Sequence, residues 1–143
     1  MTPENAEKKA FLESYKRQKE KVRRIEEKIA ECRLKELPSA ITYTGMPHGS
    51  ESNRDLSDYA SKLDGLQREL RSARANLDVI KQAVSRSIMA VPDPKCRELL
   101  WRRYICLDGW RRIADEMGCS EVHARGKLHG TALEMFLIKN RRK

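Results

Sequence analysis

An unbroken apolar stripe in the middle of the chain constrains its fold more than any other feature. Leu56, Tyr59, Leu63, Leu66, Leu70, Ala73, Leu77, Ile80 and Val84 follow one another in steps of three and four. That rhythm matches the turn of an α-helix, and sustained over four heptads it is the seam of a coiled coil. Gly65 falls inside it and costs roughly 1 kcal/mol relative to alanine, which the other apolar positions can carry. A chain organised around so long a helix is not a sheet-rich fold. Its composition agrees, with seven glycines, five prolines and 6% aromatic residues.

A second stripe precedes the first. Phe11, Tyr15, Gln18, Val22, Ile25, Ile29 and Cys32 also recur at alternating steps of four and three, with one polar member. Glu, Lys and Arg cover the other faces and read as a solvated surface. Pro38 is expected to end this helix, because proline disfavours the helical conformation in the residue before it. Residues 38–53 hold two prolines, two glycines, three serines, two threonines and His48. They read as a loop longer than most helix–helix connections, with Ile41-Thr-Tyr-Thr as a short extended piece.

Two helices with one apolar stripe each must bury those stripes. The preferred solution is an antiparallel coiled-coil hairpin within one chain. A homodimeric coiled coil uses the same seam and stays open as a partner arrangement. Val91-Pro-Asp-Pro then breaks the second helix, with Asp93 placed to cap a new one and Pro94 at its first position. The expected organisation is therefore a first coiled-coil helix at 1–37, a loop at 38–55, a second coiled-coil helix at 56–91 and a separate module at 93–143.

The pattern changes in that module. Leu99, Leu100, Tyr104 and Leu107 share a helical face, and Trp101 and Ile105 are left to contact a neighbour. Asp108-Gly109 marks a turn. Trp110-Arg-Arg-Ile-Ala-Asp-Glu-Met is a short helix, Gly118 supplies a left-handed residue after it, and Cys119-Ser120 leads into a longer helix running to about Ile138. Small Ala114 suits a close helix crossing, Cys119 fills a small buried position after the turn, and Ile113, Met117, Ala124 and Leu128 close the core. This is the logic of a helix-turn-helix. The expected fold is all-α: a long helical hairpin followed by a helix-turn-helix.

The outward face of the second helix follows from a turn of about 100° per residue. With Ala124 inward, the base-facing set is Ser120, Glu121, Val122, Arg125, Gly126 and His129. Ser120 also caps the helix. Arg125 can make a bidentate contact with guanine, Val122 can touch a thymine methyl, and Glu121 can accept from cytosine N4. Gly126 would let the helix backbone approach the groove. Arg111, Arg112, His123 and Lys127 are placed for phosphates, and Arg102 and Arg103 are less well placed. Charge points the same way. The whole chain is +9, and residues 93–143 hold 12 Lys/Arg against 7 Asp/Glu. The terminal Lys139-Asn-Arg-Arg-Lys would add sequence-independent phosphate affinity.

Three pieces of this module carry a resemblance. Arg97-Glu-Leu-Leu-Trp-Arg-Arg-Tyr-Ile, Trp110-Arg-Arg-Ile-Ala-Asp-Glu-Met-Gly-Cys-Ser and Lys127-Leu-His-Gly-Thr-Ala-Leu together resemble the fourth region of bacterial sigma factors. More closely, the chain resembles small phage and prophage proteins with a sigma-like C-terminal module, akin to the ArpU-type late-gene regulators. Met46-Pro-His-Gly, followed by the Leu-rich helix, is similar to that family too. The resemblance implies a regulator of phage transcription in the bacterial host cytoplasm, binding double-stranded promoter DNA. It further implies contact with host RNA polymerase. Gly126 and Gly130 depart from the sigma pattern, which is richer in arginine there, and nothing corresponds to the region that melts the −10 element.

Two other functions compete: a DNA-packaging component of the small-terminase type, and a coiled-coil interaction protein. An enzyme is not expected. His48, His123 and His129 show neither metal-ligand nor triad spacing, and there is no glycine-rich phosphate loop. Cys32, Cys96, Cys106 and Cys119 include no pair at the spacing of a zinc or redox motif, so no metal or cofactor is expected. Neither a signal peptide nor a membrane-spanning run is read from the sequence.

Overall fold

A computed structural model describes residues 1–41 and 49–138, with side chains over 1–35 and 55–138. Every regular element among them is helical, as the two stripes lead one to expect. The elements are α1 (Pro3–Ile41), α2 (Gly49–Met89), α3 (Pro94–Tyr104) and α4 (Trp110–Met117). The last helical stretch has three consecutive parts: α5 (Glu121–His123), a π-helical turn (Ala124–Leu128) and α6 (His129–Met135).

The boundaries differ from expectation in three places. Pro38 does not end α1, which continues to Ile41. A proline that near a helix end forfeits one backbone hydrogen bond and leaves the remaining ladder in place. At the other side of the loop, α2 begins at Gly49, ahead of its first apolar stripe residue. Periodicity marks where a helix buries a face, so the polar turns before Leu56 carry no signal. Last, α6 stops at Met135, and Phe136 is already extended with ψ 135. Of the expected extended piece Ile41-Thr-Tyr-Thr, Ile41 is helical, and its other residues, with most of Met46-Pro-His-Gly, fall at residues 42–48, outside the described residues, as do the basic residues 139–143.

The chain divides into two compact units: Met1–Gln18 with Leu77–Lys143, and Lys19–Asn76. In the second unit, Val22, Ile25, Ile29 and Cys32 of α1 and Ala73 of α2 are buried. Leu63, Leu66 and Leu70 are half-buried. Arg74 of α2 pairs with Glu26 of α1 at 3.4 Å. Both partners are exposed, so the pair contributes at most about 1 kcal/mol and apolar burial dominates.

The first unit is larger than residues 93–143 alone. Its core joins Leu12 and Tyr15 of α1, Val84 and Ile88 of α2, Cys96, Leu99, Leu100 and Tyr104 of α3, Ile113 of α4, and Ala132, Leu133 and Phe136. Each fully buried Leu, Ile or Phe contributes roughly 1.5–3 kcal/mol by leaving water. The start of α1 is tied in by polar chemistry as well. Lys8, 7% exposed, sends its Nζ to the Leu133 carbonyl at 2.9 Å and the Glu134 carbonyl at 3.4 Å. Those carbonyls belong to the last turn of α6, where helical partners run out and a cation is favoured. Phe11 meets Phe136 beside them, ring centroids 6.0 Å apart.

Candidate nucleic-acid interface

Two short helices and the turn between them position the expected site. α4 has no side-chain cap at Gly109 and two arginines in its first turn, so its start does little to stabilise it. Burial of Ile113 and Ala114, at 0% and 3% exposure, holds it instead. Gly118 ends it with φ 68 and ψ 37, the left-handed conformation. The amides of Gly118 and Cys119 both donate to the Ala114 carbonyl, so that carbonyl in the last turn is satisfied where the chain leaves the helix. An added Cβ at Gly118 would meet nothing within 4 Å. Glycine is needed there for its backbone angles alone.

Ser120 then starts the next helix. Its backbone is extended, and its Oγ accepts from the His123 amide at 3.1 Å, an N-cap that serves one of the unpaired donors of the first turn. α4 packs on α5 and on the π turn, while α3 packs on α6. Ala114 and Ala124 are both buried, and Met117 and Leu128 are half-buried beside them, as the close crossing requires. Cys119 is half-buried where full burial is expected from sequence.

The outward side of this arrangement carries most of the expected contacts. Ser120, Glu121, Val122, His123, Arg125, Gly126 and Lys127 are all exposed, as are Arg111 and Arg112. Val122 is 73% exposed, an apolar side chain standing in solvent. Arg112 lies 3.9 Å from Asp108, a weak surface pair. The side chains of Arg111, Arg125 and Lys127 have no partner among the described residues. Arg102 and Arg103 are not part of this surface. Arg102 is committed to Glu98 at 3.0 Å and lies near Glu116. Arg103 sits over the Trp110 ring, 4.6 Å from its centroid, and donates to the Asp108 carbonyl.

His129 is the correction to the base-facing set, for it is 5% exposed and belongs to the core. Tyr104 Oη lies 2.7 Å from its Nε2, and Trp110 meets its ring edge-on at 4.9 Å. Burial first, then the positive charges of Lys9 and Arg103, push its pKa down to about 4. Burial also raises that of Tyr104. The physical reason for the misreading is the π turn. At about 100° per residue, five steps carry His129 roughly 140° away from Ala124. In the π turn the His129 amide instead bonds the Ala124 carbonyl, five residues back. The fifth residue then lies over the first, on the buried side.

Asp93 and Cys96 open the same unit. Asp93 precedes Pro94 in an extended conformation, and its carboxyl is held below the usual value chiefly by the Cys96 thiol. Burial, followed by that carboxylate, pushes the thiol up to about 11. Cys96 is thus a core thiol, not a reactive one. No group of three or more His, Cys, Asp or Glu able to hold a metal occurs among the described residues. No helix among them is long and apolar enough to cross a membrane.

No protein-family model, curated protein or solved structure matches the chain.

Proposed function

We propose that this chain is a sequence-specific double-stranded DNA-binding protein. In this reading α4, the Gly118 turn and the α5–π stretch act as a helix-turn-helix, and α1 and α2 form an antiparallel hairpin that completes its core. The observation that carries the reading is the contrast across one short stretch. Ala124 is sealed inside while Val122, Arg125, Gly126 and Lys127 stand in solvent, and the two cationic side chains have no partner among the described residues. An exposed arginine without a partner keeps all its donors for guanine O6 and N7, and an exposed valine suits a thymine methyl. Arg111 and Arg112 at the start of α4 suit the phosphates of one strand, which fix register without reading sequence.

Within that reading, the resemblance to phage and prophage regulators with a sigma-like module supplies the biological role: control of transcription in a bacterial host, with RNA polymerase as a second partner. The packaging alternative requires a ring of many copies, so mass in solution separates the two. A monomer or dimer fits the regulator, and a ring of eight or more chains would overturn it.

The direct test is selection of bound duplexes from random-sequence DNA, repeated with Arg125→Ala. The variant should bind the selected duplex about 1–3 kcal/mol more weakly and lose preference at one base position. Arg111→Ala should weaken binding to all duplexes alike and flatten the salt dependence. Unchanged selectivity in Arg125→Ala sinks the assignment of Arg125. Failure of the wild-type chain to retain any duplex at low salt sinks the reading as a whole.

A further inference from the structure

Five buried positions describe how the last helical stretch, with the residue that ends it, meets the core: Ala124, His129, Ala132, Leu133 and Phe136. The steps between them are five, three, one and three. Take one residue from between the first two and the steps become four, three, one and three, the stripe of a regular α-helix. The chain therefore carries one residue more than its core requires. The π turn at Ala124–Leu128 is how the helix absorbs it.

Nothing among the described residues accounts for that extra residue or for the glycine at its centre. Gly126 is exposed, and an added Cβ would meet no atom within 4 Å. Its φ is not positive, unlike that of Gly118. Neither packing nor backbone angle calls for glycine, and alanine would favour the helix. Its neighbours Arg125 and Lys127 are the partnerless cations of the proposed interface.

We propose that the π turn and Gly126 serve duplex contact: Gly126 is where the backbone of the reading helix comes closest to the base edges. The missing side chain leaves room for that approach, with Arg125 and Lys127 flanking it. The inference rests on the DNA-binding reading above and adds to it a specificity-determining position that acts through absence of a side chain.

The experiment compares Gly126→Ala, Gly130→Ala and deletion of Gly126 in the full chain. Gly130 is a fitting control because it lies in the same stretch and an added Cβ there also meets nothing within 4 Å. Thermal melting reports the fold, and fluorescence anisotropy reports binding to the duplex selected with the wild-type chain. All three variants should melt at or above the wild type. Gly126→Ala and the deletion should bind the duplex about tenfold more weakly or worse, equivalent to roughly 1.4 kcal/mol, while Gly130→Ala binds as the wild type does. Melting well below the wild type in the deletion variant overturns the claim that the residue is surplus to the core. Wild-type affinity in both Gly126 variants overturns the contact. If Arg125→Ala still weakens binding in that case, the DNA-binding reading stands and only this inference falls.

Discussion

The two halves of the last helical stretch are built on opposite terms. From Ser120 to Lys127 only Ala124 is buried, and the remaining side chains stand in solvent. From His129 to Phe136, His129, Ala132, Leu133 and Phe136 are buried, and Lys8 reaches across from α1 to close the end. The second half is held by the core, whereas the first is merely capped and attached. A folded domain that leaves a stretch so lightly used by its own interior has that stretch available for something outside it. The contrast can be broken by finding a large stability cost in the outer half or a small one in the inner half.

The largest cost is expected at Phe136, which is fully buried and meets Phe11. Phe136→Ala should lose about 3–5 kcal/mol through lost transfer and a residual cavity. Val122→Ala, at an apolar position in the outer half, should stay within about 0.5 kcal/mol. Urea unfolding midpoints of the two variants measure the contrast directly. Similar midpoints would remove it.

The next effect is a pH dependence carried by His129. Its folded pKa of about 4 lies below the unfolded value, so between the two the unfolded chain binds a proton that the folded chain refuses. Unfolding then draws in a proton, and stability rises with pH. The contribution is complete above about pH 6.5 and is lost as pH falls toward 4, amounting to about 3 kcal/mol in all, of which about 2 kcal/mol is lost by pH 5. His129→Gln keeps a polar group for the Tyr104 hydroxyl and cannot titrate. Denaturation at pH 5 and pH 7 should show the wild type losing more stability than the variant. Equal losses would mean that His129 is solvated, returning it to the outer face.

His129 also shows where sequence stops being legible. The stripes of α1 and α2, the Asp93-Pro94 start of α3, the left-handed Gly118 and the Ser120 cap all follow from local rules that act within a turn or two. Those rules assume a fixed period, and the π turn changes the period without any apolar residue announcing it. The assumed phase therefore holds through Lys127 and fails at His129. Lys8 escaped for a different reason: a lysine on a charged helix reads as solvated, and only the fold brings the α6 carbonyls to it. The turn before α4 is a third case. Asp108-Gly109 reads as its pivot, yet the left-handed residue is Leu107 with φ 60, while Gly109 has an ordinary φ of −72. The Asp108 amide bonds the Arg102 carbonyl there, and a leucine is held in a conformation that costs about 1–2 kcal/mol.

The smallest effect tests whether the outer half owes the fold anything. Its start is held by the Ser120 cap, a single hydrogen bond at 3.1 Å on an exposed helix start. Ser120→Ala should cost about 1 kcal/mol, and Ser120→Asn should cost little because asparagine caps as well. The same pair of variants separates the cap from any contact with DNA. If Ser120 only caps, Ser120→Asn melts and binds duplex like the wild type, and Ser120→Ala loses affinity only in step with the fraying of α5. If the hydroxyl also touches the duplex, Ser120→Asn keeps its stability and loses affinity. Paired melting and anisotropy measurements distinguish these outcomes. A Ser120→Ala variant that melts with the wild type would show that even this cap is dispensable, and that the burial of Ala124 is enough to hold the start of the outer half.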